Sequence, residues 1–153
     1  MEHEIKIIPD QKLAVINYKG PIGDLDILVS KLMGWVEAEE VEADGEPFII
    51  YFSPRHEVNQ GDVVYDVSIP LKSDAEETDR IRVVDMIENK VLSGRHLGST
   101  ATIMETYAKL VDVAQENHYD IIGSPKEVLI KGPQNCDNED DYITEIQLPI
   151  IEM

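Results

Sequence analysis

The chain repeats one pattern twice, and this internal repeat restricts its fold more than any other feature of the sequence. When the sequence is shifted by 78 residues, the difference between positions 20 and 98, Gly20 aligns with Gly98 and Pro47 with Pro125. Apolar positions keep the same offset, with Leu25 on Ile103, Leu32 on Leu110, Trp35 on Val113 and Val36 on Ala114. A fixed internal period indicates one structural unit present in two copies.

The two copies differ at a carboxylate and at an aromatic side chain. In the same alignment Glu127 replaces Ile49, and Tyr107 replaces Val29. Positions that the copies share are expected to maintain the fold, whereas positions at which they differ are better candidates for function. Glu127 and Tyr107 are therefore the first candidates for a functional site.

Each half has the pattern strand-strand-helix-strand-strand. Alternating and β-branched runs predict strands over 4–8, 13–18, 48–52, 63–71, 81–86, 90–97, 126–131 and 142–150. Apolar residues at helical spacing predict one helix after Asp24 and one after Ser99, with these two residues as N-caps. We predict an α+β protein in which two pseudo-symmetric ββαββ modules form an eight-stranded, mostly antiparallel sheet with two helices and a central cleft. One domain covers 1–153, with repeats over about 1–78 and about 79–153.

The charge balance restricts the possible partners. Thirteen basic and 31 acidic residues give a net charge of −18 at pH 7. Such a chain repels nucleic-acid phosphates, so direct nucleic-acid binding is not expected. Cationic ligands and basic protein surfaces are attracted instead. The alternative interpretation is that the acidity keeps an abundant protein soluble or reflects a salty habitat.

Localisation follows from features that the sequence lacks. No apolar run approaches the roughly 18 residues that a membrane span needs, and the N-terminus has no signal-peptide pattern. Cys136 is the only cysteine, which excludes an internal disulfide. We expect a cytoplasmic protein without membrane association.

Glu127 lies in an apolar strand beside Val128, Leu129 and Ile130. If its carboxylate lines a groove with apolar walls, a lipophilic cation would satisfy both the charge and the walls. The alternative is that Glu127 faces solvent on an outer strand, between Lys126 and Lys131.

Aromatic side chains are the next candidates, because their faces attract cations and planar rings. The candidate ligand contacts are Tyr51, Trp35, Tyr107, Tyr65 and Tyr142. Tyr51 shares a strand face with Ile49, the position that aligns with Glu127. For Trp35 and Tyr107, which lie on the helix stripes, packing in the core is the competing interpretation, and we expect about half of the five to contact a ligand.

Metal and cofactor sites are not predicted. His3, His56, His96 and His118 are scattered, without the spacing of a metal motif. The acidic stretch 137–141 lacks the glycine and the distal glutamate of a calcium loop. No glycine-rich phosphate loop precedes the second helix.

The ordered set of these motifs resembles a known family. Gly20-Pro21 and Gly98 precede the two helices, 125–128 (Pro-Lys-Glu-Val) opens a strand, and 144–150 (Thr-Glu-Ile-Gln-Leu-Pro-Ile) closes the chain. Together with the duplication they resemble the GyrI-like small-molecule-binding domain, the effector-binding domain of bacterial transcription activators. The resemblance spans nearly the whole chain.

The resemblance implies a cleft between pseudo-symmetric halves, with a strand glutamate at its base that meets cationic, hydrophobic ligands among aromatic side chains. Glu127 matches that glutamate in motif and place. The chain resembles a stand-alone member, because no helix-turn-helix pattern precedes its first strand. It departs from the family where the second helix begins with Gly98, Ser99 and Thr100 rather than with Gly-Pro-Tyr.

Three functional hypotheses follow from these features. The leading one is a protein that senses or sequesters lipophilic, cationic small molecules. The second is a hydrolase that detoxifies electrophilic compounds, with Glu127 as general acid or base. The third is a protein-interaction module that acts on gyrase or on a separate DNA-binding regulator. The sequence leaves the oligomeric state open.

Overall fold

The described part of the chain contains two α-helices and nine strands. The computed structural model describes residues 2–152. In chain order the elements are β1 His3–Ile8, β2 Gln11–Pro21, α1 Leu25–Ala38, β3 Phe48–Tyr51, β4 Asp62–Leu71, β5 Arg82–Met86, β6 Asn89–Leu97, α2 Ile103–Glu116, β7 Tyr119–Ile121, β8 Lys126–Lys131 and β9 Ile143–Glu152. The predicted α+β class, with a mostly antiparallel sheet and two helices, is confirmed.

The strands pair in the order β1-β6-β9-β8-β3-β4-β2-β5, and every pair is antiparallel. The first strand of each half pairs with the second strand of the other half, because β1 lies beside β6 and β5 beside β2. This strand exchange means that neither half completes its own sheet.

One short strand was not predicted. His118 adopts a positive φ of 59° and ends α2, and the three residues of β7 then pair with the end of β9. Three residues are too few to show an alternating pattern, which is why the sequence predicts eight strands instead of nine.

The centre of the sheet is the pair β3–β8. Ile49 lies directly opposite Glu127, and its neighbours pair as Phe48 with Val128 and Ile50 with Lys126. The numbers 49 and 127 differ by 78, the offset of the sequence repeat. A twofold relation between the halves requires such a self-equivalent pair on its axis, and this register supplies one. The division into repeats stays a prediction, which this register supports.

Each helix covers its own group of buried side chains. Under α1 these include Leu28, Val29, Leu32 and Trp35 with residues of β2 and β4. Under α2 they include Ile103, Tyr107, Leu110 and Ala114 with residues of β6 and β9. Because the two groups are separate, the junction of the halves is the place where packing is interrupted and a cavity forms.

The predicted N-cap residues behave differently. The Asp24 carboxylate makes no capping bond and accepts instead from the hydroxyl of Tyr18, so that prediction is wrong in its detail. The Ser99 Oγ accepts from the Ala101 amide at 3.2 Å and caps the 3₁₀ turn that leads into α2. Polar groups near a helix start compete for the same side chain, and here the hydroxyl of Tyr18, seven positions before the helix, takes the Asp24 carboxylate.

The sheet curls strongly, because its ends are joined by short connections. In the strand order, β1 and β2 are six positions apart, and so are β5 and β6. Six spacings of about 4.8 Å amount to roughly 29 Å in a flat sheet. Two-residue connections at positions 9–10 and 87–88 reach only about 11 Å. The ends therefore approach each other, and the Glu88 amide donates to the Asp10 Oδ1 at 2.7 Å.

Candidate functional site

A cavity of about 340 Å³ lies where the two halves meet. Its floor is the central pair β3–β8, and its walls come from the first residues of α1, from the segments before both helices, from the loop 52–61 and from the connection 132–142. Apolar lining residues include Ile22, Leu25, Ile49, Val58 and Leu129; charged and aromatic ones are Asp26, Tyr51, Arg55, Glu127, Glu139 and Tyr142. A few polar groups among apolar walls are typical of a small-molecule site.

Glu127 lies on the floor of this cavity, with only 1% of its surface exposed. Strand alternation turns its side chain to the same face as Leu129 and towards the helices. Its Oε2 accepts from the Arg55 Nε at 2.7 Å and from the Tyr107 hydroxyl at 2.5 Å. A buried carboxylate needs such partners, because burial without them is costly.

Arg55 was not among the predicted site residues. It opens a 3₁₀ turn, Arg55–Glu57, in the loop between β3 and β4, and its side chain is 12% exposed. Its guanidinium pairs with Glu127 and lies over the Tyr51 ring, 4.7 Å from the ring centroid. The available signal was a basic residue in the loop that follows the strand opposite Glu127.

Three of the five predicted aromatic residues lie at or beside the cavity. Tyr51 and Tyr142 line it. Tyr107 approaches from the second turn of α2 and donates its hydroxyl hydrogen to Glu127. The structure therefore brings Tyr51, Tyr107 and Glu127 together around Arg55.

The other two aromatic residues lie in the core of the first half. Tyr65 is fully buried and packs edge-on against Tyr18 and at a tilt against Tyr51, with ring centroids 5.7 and 6.1 Å apart. Trp35 is 9% exposed and packs beneath α1. Neither lies among the residues that line the cavity.

The charges of the site follow from burial and pairing. Burial lowers the pKa of Arg55, but the charge of Glu127 and its hydrogen bond outweigh this effect and hold that pKa above its usual value. Burial raises the pKa of Tyr51 and of Tyr107, and the Glu127 charge adds to both shifts. Both phenols stay neutral, and Arg55 stays protonated, throughout the physiological pH range.

The cavity carries a negative balance. The lining holds three acidic residues, Asp26, Glu127 and Glu139, and one basic residue, Arg55, which gives a formal charge balance of −2. Within residues 2–152, no group of three or more His, Cys, Asp or Glu side chains is placed to hold a metal ion. In the same part of the chain, no helix is both long and apolar enough to cross a membrane.

The sequence model of the GyrI-like small molecule binding domain matches residues 1–151. A search of the curated proteins found no match.

Solved structures share the fold at low sequence identity. The EcmrR C-terminal domain has a TM-score of 0.86 at 18% identity, covering 99% of this chain and 98% of that one. EcmrR in a complex with DNA has a TM-score of 0.83 at 17% identity. That match covers 99% of this chain but only 58% of the EcmrR chain. SAV2435 bound to tetraphenylphosphonium has a TM-score of 0.62 at 11% identity, and the match covers 99% of this chain and 94% of that one. A hydrolase from Listeria innocua has a TM-score of 0.68 at 13% identity, and the match covers 98% of this chain and 92% of that one.

Proposed function

Because the chain belongs to the GyrI-like small-molecule-binding domain family, we propose that its central cavity binds a lipophilic cation and that Glu127 supplies the counter-charge. In this role the protein senses or sequesters such compounds, as an effector-binding domain does. The tetraphenylphosphonium bound to SAV2435 is one example of this ligand class in a protein of the same fold.

The observation that carries this proposal is a buried carboxylate within an aromatic and apolar cavity of negative balance. Glu127 is 1% exposed, so little water screens its charge. Tyr51 presents its ring face beside that carboxylate, and aromatic faces attract cations by roughly 0.5 to 2 kcal/mol. The volume of about 340 Å³ lies at the lower end of the range for small-molecule sites, about 300 to 1,000 Å³.

The acidic cavity lining supports the same ligand class. Asp26 lies in the first turn of α1, and Glu139 lies in the connection before β9. Both are exposed beside the buried floor, so a cation meets negative charge before it reaches Glu127. The overall charge of −18 attracts cations over longer distances, and this attraction is screened by salt.

Removal of the Glu127 charge is expected to weaken cation binding by at least about tenfold. In Glu127→Gln the balance of the lining residues falls to −1, and the Arg55 guanidinium loses its counter-charge and repels the ligand. The test is a fluorescence-anisotropy titration with a rhodamine cation.

The matched control is Glu145→Gln. Glu145 is a buried glutamate of β9 whose side chain lies on the opposite face of the sheet, held by Lys6, Ser93 and Gln147. The affinity of the Glu145→Gln variant for the dye should equal that of the wild type. Equal affinity in Glu127→Gln would remove the carboxylate from the site.

A second candidate function is hydrolysis of an electrophilic ring, and the short bond between Tyr107 and Glu127 favours it. In an epoxide, the Glu127 carboxylate would take a proton from water as the water oxygen bonds to a ring carbon. The ring C–O bond at that carbon breaks in the same step, the freed oxygen takes a proton from the Tyr107 hydroxyl, and Glu127 returns a proton to Tyr107. Net water addition is the result.

Incubation with styrene oxide tests this second function. If the protein is such a hydrolase, mass spectrometry should detect the diol, and Tyr107→Phe should lower the rate by roughly 100-fold. Consumption no faster than in buffer, together with dye binding, would leave only the binding function.

A further inference from the structure

We propose, on the basis of the function above, that Arg55 is an internal competitor for the ligand. Its guanidinium occupies the position on Glu127 and Tyr51 that a ligand's cation would take, so a ligand binds by displacing it. The ligands that do this best are planar aromatic cations with N–H donors, such as amidinium compounds.

The contacts of Arg55 reproduce those expected of the ligand. Its Nε donates to the Glu127 Oε2 at 2.7 Å, and its planar cation lies 4.7 Å from the centroid of the Tyr51 ring. It also lines the cavity beside these two residues. One side chain of the protein therefore satisfies both the charge and the aromatic face, which are the two features that would attract a cation.

The loop that carries Arg55 is held mainly from within. The Glu57 amide donates to the Pro54 carbonyl at 2.9 Å, and the Gln60 amide donates to the Glu57 carbonyl at 3.0 Å. Val58 is buried and packs in the core of the first half. Displacement of Arg55 from Glu127 thus breaks one ion pair and one aromatic contact and loosens the turns of the loop, while Val58 keeps the loop attached to the core.

The chemistry of Glu127 selects the replacing cation. Once Arg55 leaves, Oε2 keeps the Tyr107 hydroxyl but loses an N–H donor. An unpaired buried acceptor is costly, and charge-assisted N–H bonds are stronger than neutral ones. An amidinium restores the lost bond, whereas a quaternary ammonium cannot, because it has no N–H group.

The test compares two cations of one ring each, p-aminobenzamidine and phenyltrimethylammonium, on the wild type and on Arg55→Gln by isothermal calorimetry. Wild type is expected to prefer the amidinium. Arg55→Gln should bind both cations at least about tenfold more tightly, because the competitor is gone. Arg55→Lys keeps the charge but loses the planar fork, so its affinity for each cation should lie between those of the wild type and of Arg55→Gln.

Circular dichroism and thermal unfolding verify that each variant is folded. Hydrogen exchange gives a second measurement on the wild type, in which the amidinium should speed exchange of the Glu57, Val58 and Gln60 amides. The same amides should already exchange faster in ligand-free Arg55→Gln. Unchanged exchange in both cases would contradict displacement.

The outcomes separate this inference from the proposed function. If the wild type binds and Arg55→Gln binds equally or more weakly, Arg55 is not a competitor, while the proposed function stands. If only Arg55→Gln binds, the competition is supported and cation binding by the wild type is refuted for these probes. If neither binds, both proposals fail.

Discussion

Replacement of Lys126 by methionine is expected to raise the free energy of unfolding by roughly 3 kcal/mol at neutral pH. Lys126 is 5% exposed, and its Nζ lies 4.3 Å from the centroid of the Phe48 ring and 3.7 Å from the Met86 Sδ, neither of which is charged. Burial lowers its pKa from 10.5 to about 8, and Glu145 offsets only part of this shift. Each unit corresponds to about 1.4 kcal/mol.

The same lysine gives the protein a distinctive pH dependence. Between about pH 8 and about pH 10.5 the unfolded chain keeps the Lys126 proton that the folded chain has released, so the free energy of unfolding rises with pH in this window. The buried tyrosines have raised pKa values and would reverse the trend only above about pH 10.

Urea unfolding between about pH 7.5 and about pH 9.5 measures both effects. The wild type should gain stability over this range, and Lys126→Met should be flatter and more stable at its lower end. Lys131→Met is the matched control, since Lys131 is exposed on the same strand. A rise with pH that is as steep in Lys126→Met as in the wild type would refute the assignment.

The second large effect concerns the ion pair in the cavity. Arg55→Leu or Glu127→Leu alone is expected to cost about 3 to 5 kcal/mol of stability, because each leaves a buried charge without its partner. The double variant should be more stable than either single variant, since an apolar pair carries no desolvation cost.

A double-mutant cycle by urea unfolding measures this coupling. The exposed pair Lys72 and Glu42, whose charged atoms are 3.5 Å apart, is the control and should show little coupling. Strictly additive effects of Arg55→Leu and Glu127→Leu would mean that the two side chains are not paired in solution.

The position of Glu127 could be approached from the sequence because strands have a simple period. Alternation gives the face of each side chain, and the offset of 78 residues gives Ile49 as its equivalent. A central antiparallel pair then brings both to the middle of the sheet. These arguments need only local pattern and symmetry.

Arg55 could not be found in this way, because loop conformation depends on tertiary contacts. The turn Arg55–Glu57 is positioned by Val58 in the core and by the Glu127 carboxylate, which is 72 residues away in sequence. The pattern Arg55-His56-Glu57 shows only a polar loop, and nothing local indicates the direction of its first side chain.

The helix stripe was also ambiguous for the aromatic residues. In the repeat alignment Tyr107 corresponds to position 29 and lies near the start of its helix, while Trp35 lies six residues later in the equivalent helix. Six residues of helix span about 9 Å. Tyr107 therefore reaches the junction of the halves, and Trp35 packs deeper under its own helix.

The strand exchange has a mechanical consequence. β1 completes the sheet of the second half, and β5 completes that of the first. A hinge motion that separated the halves would therefore break the strand pairing in both. Access to the interior therefore depends on surface segments such as 52–61. Because this frame cannot open, a compound that binds in the cavity can change the structure only in these loops.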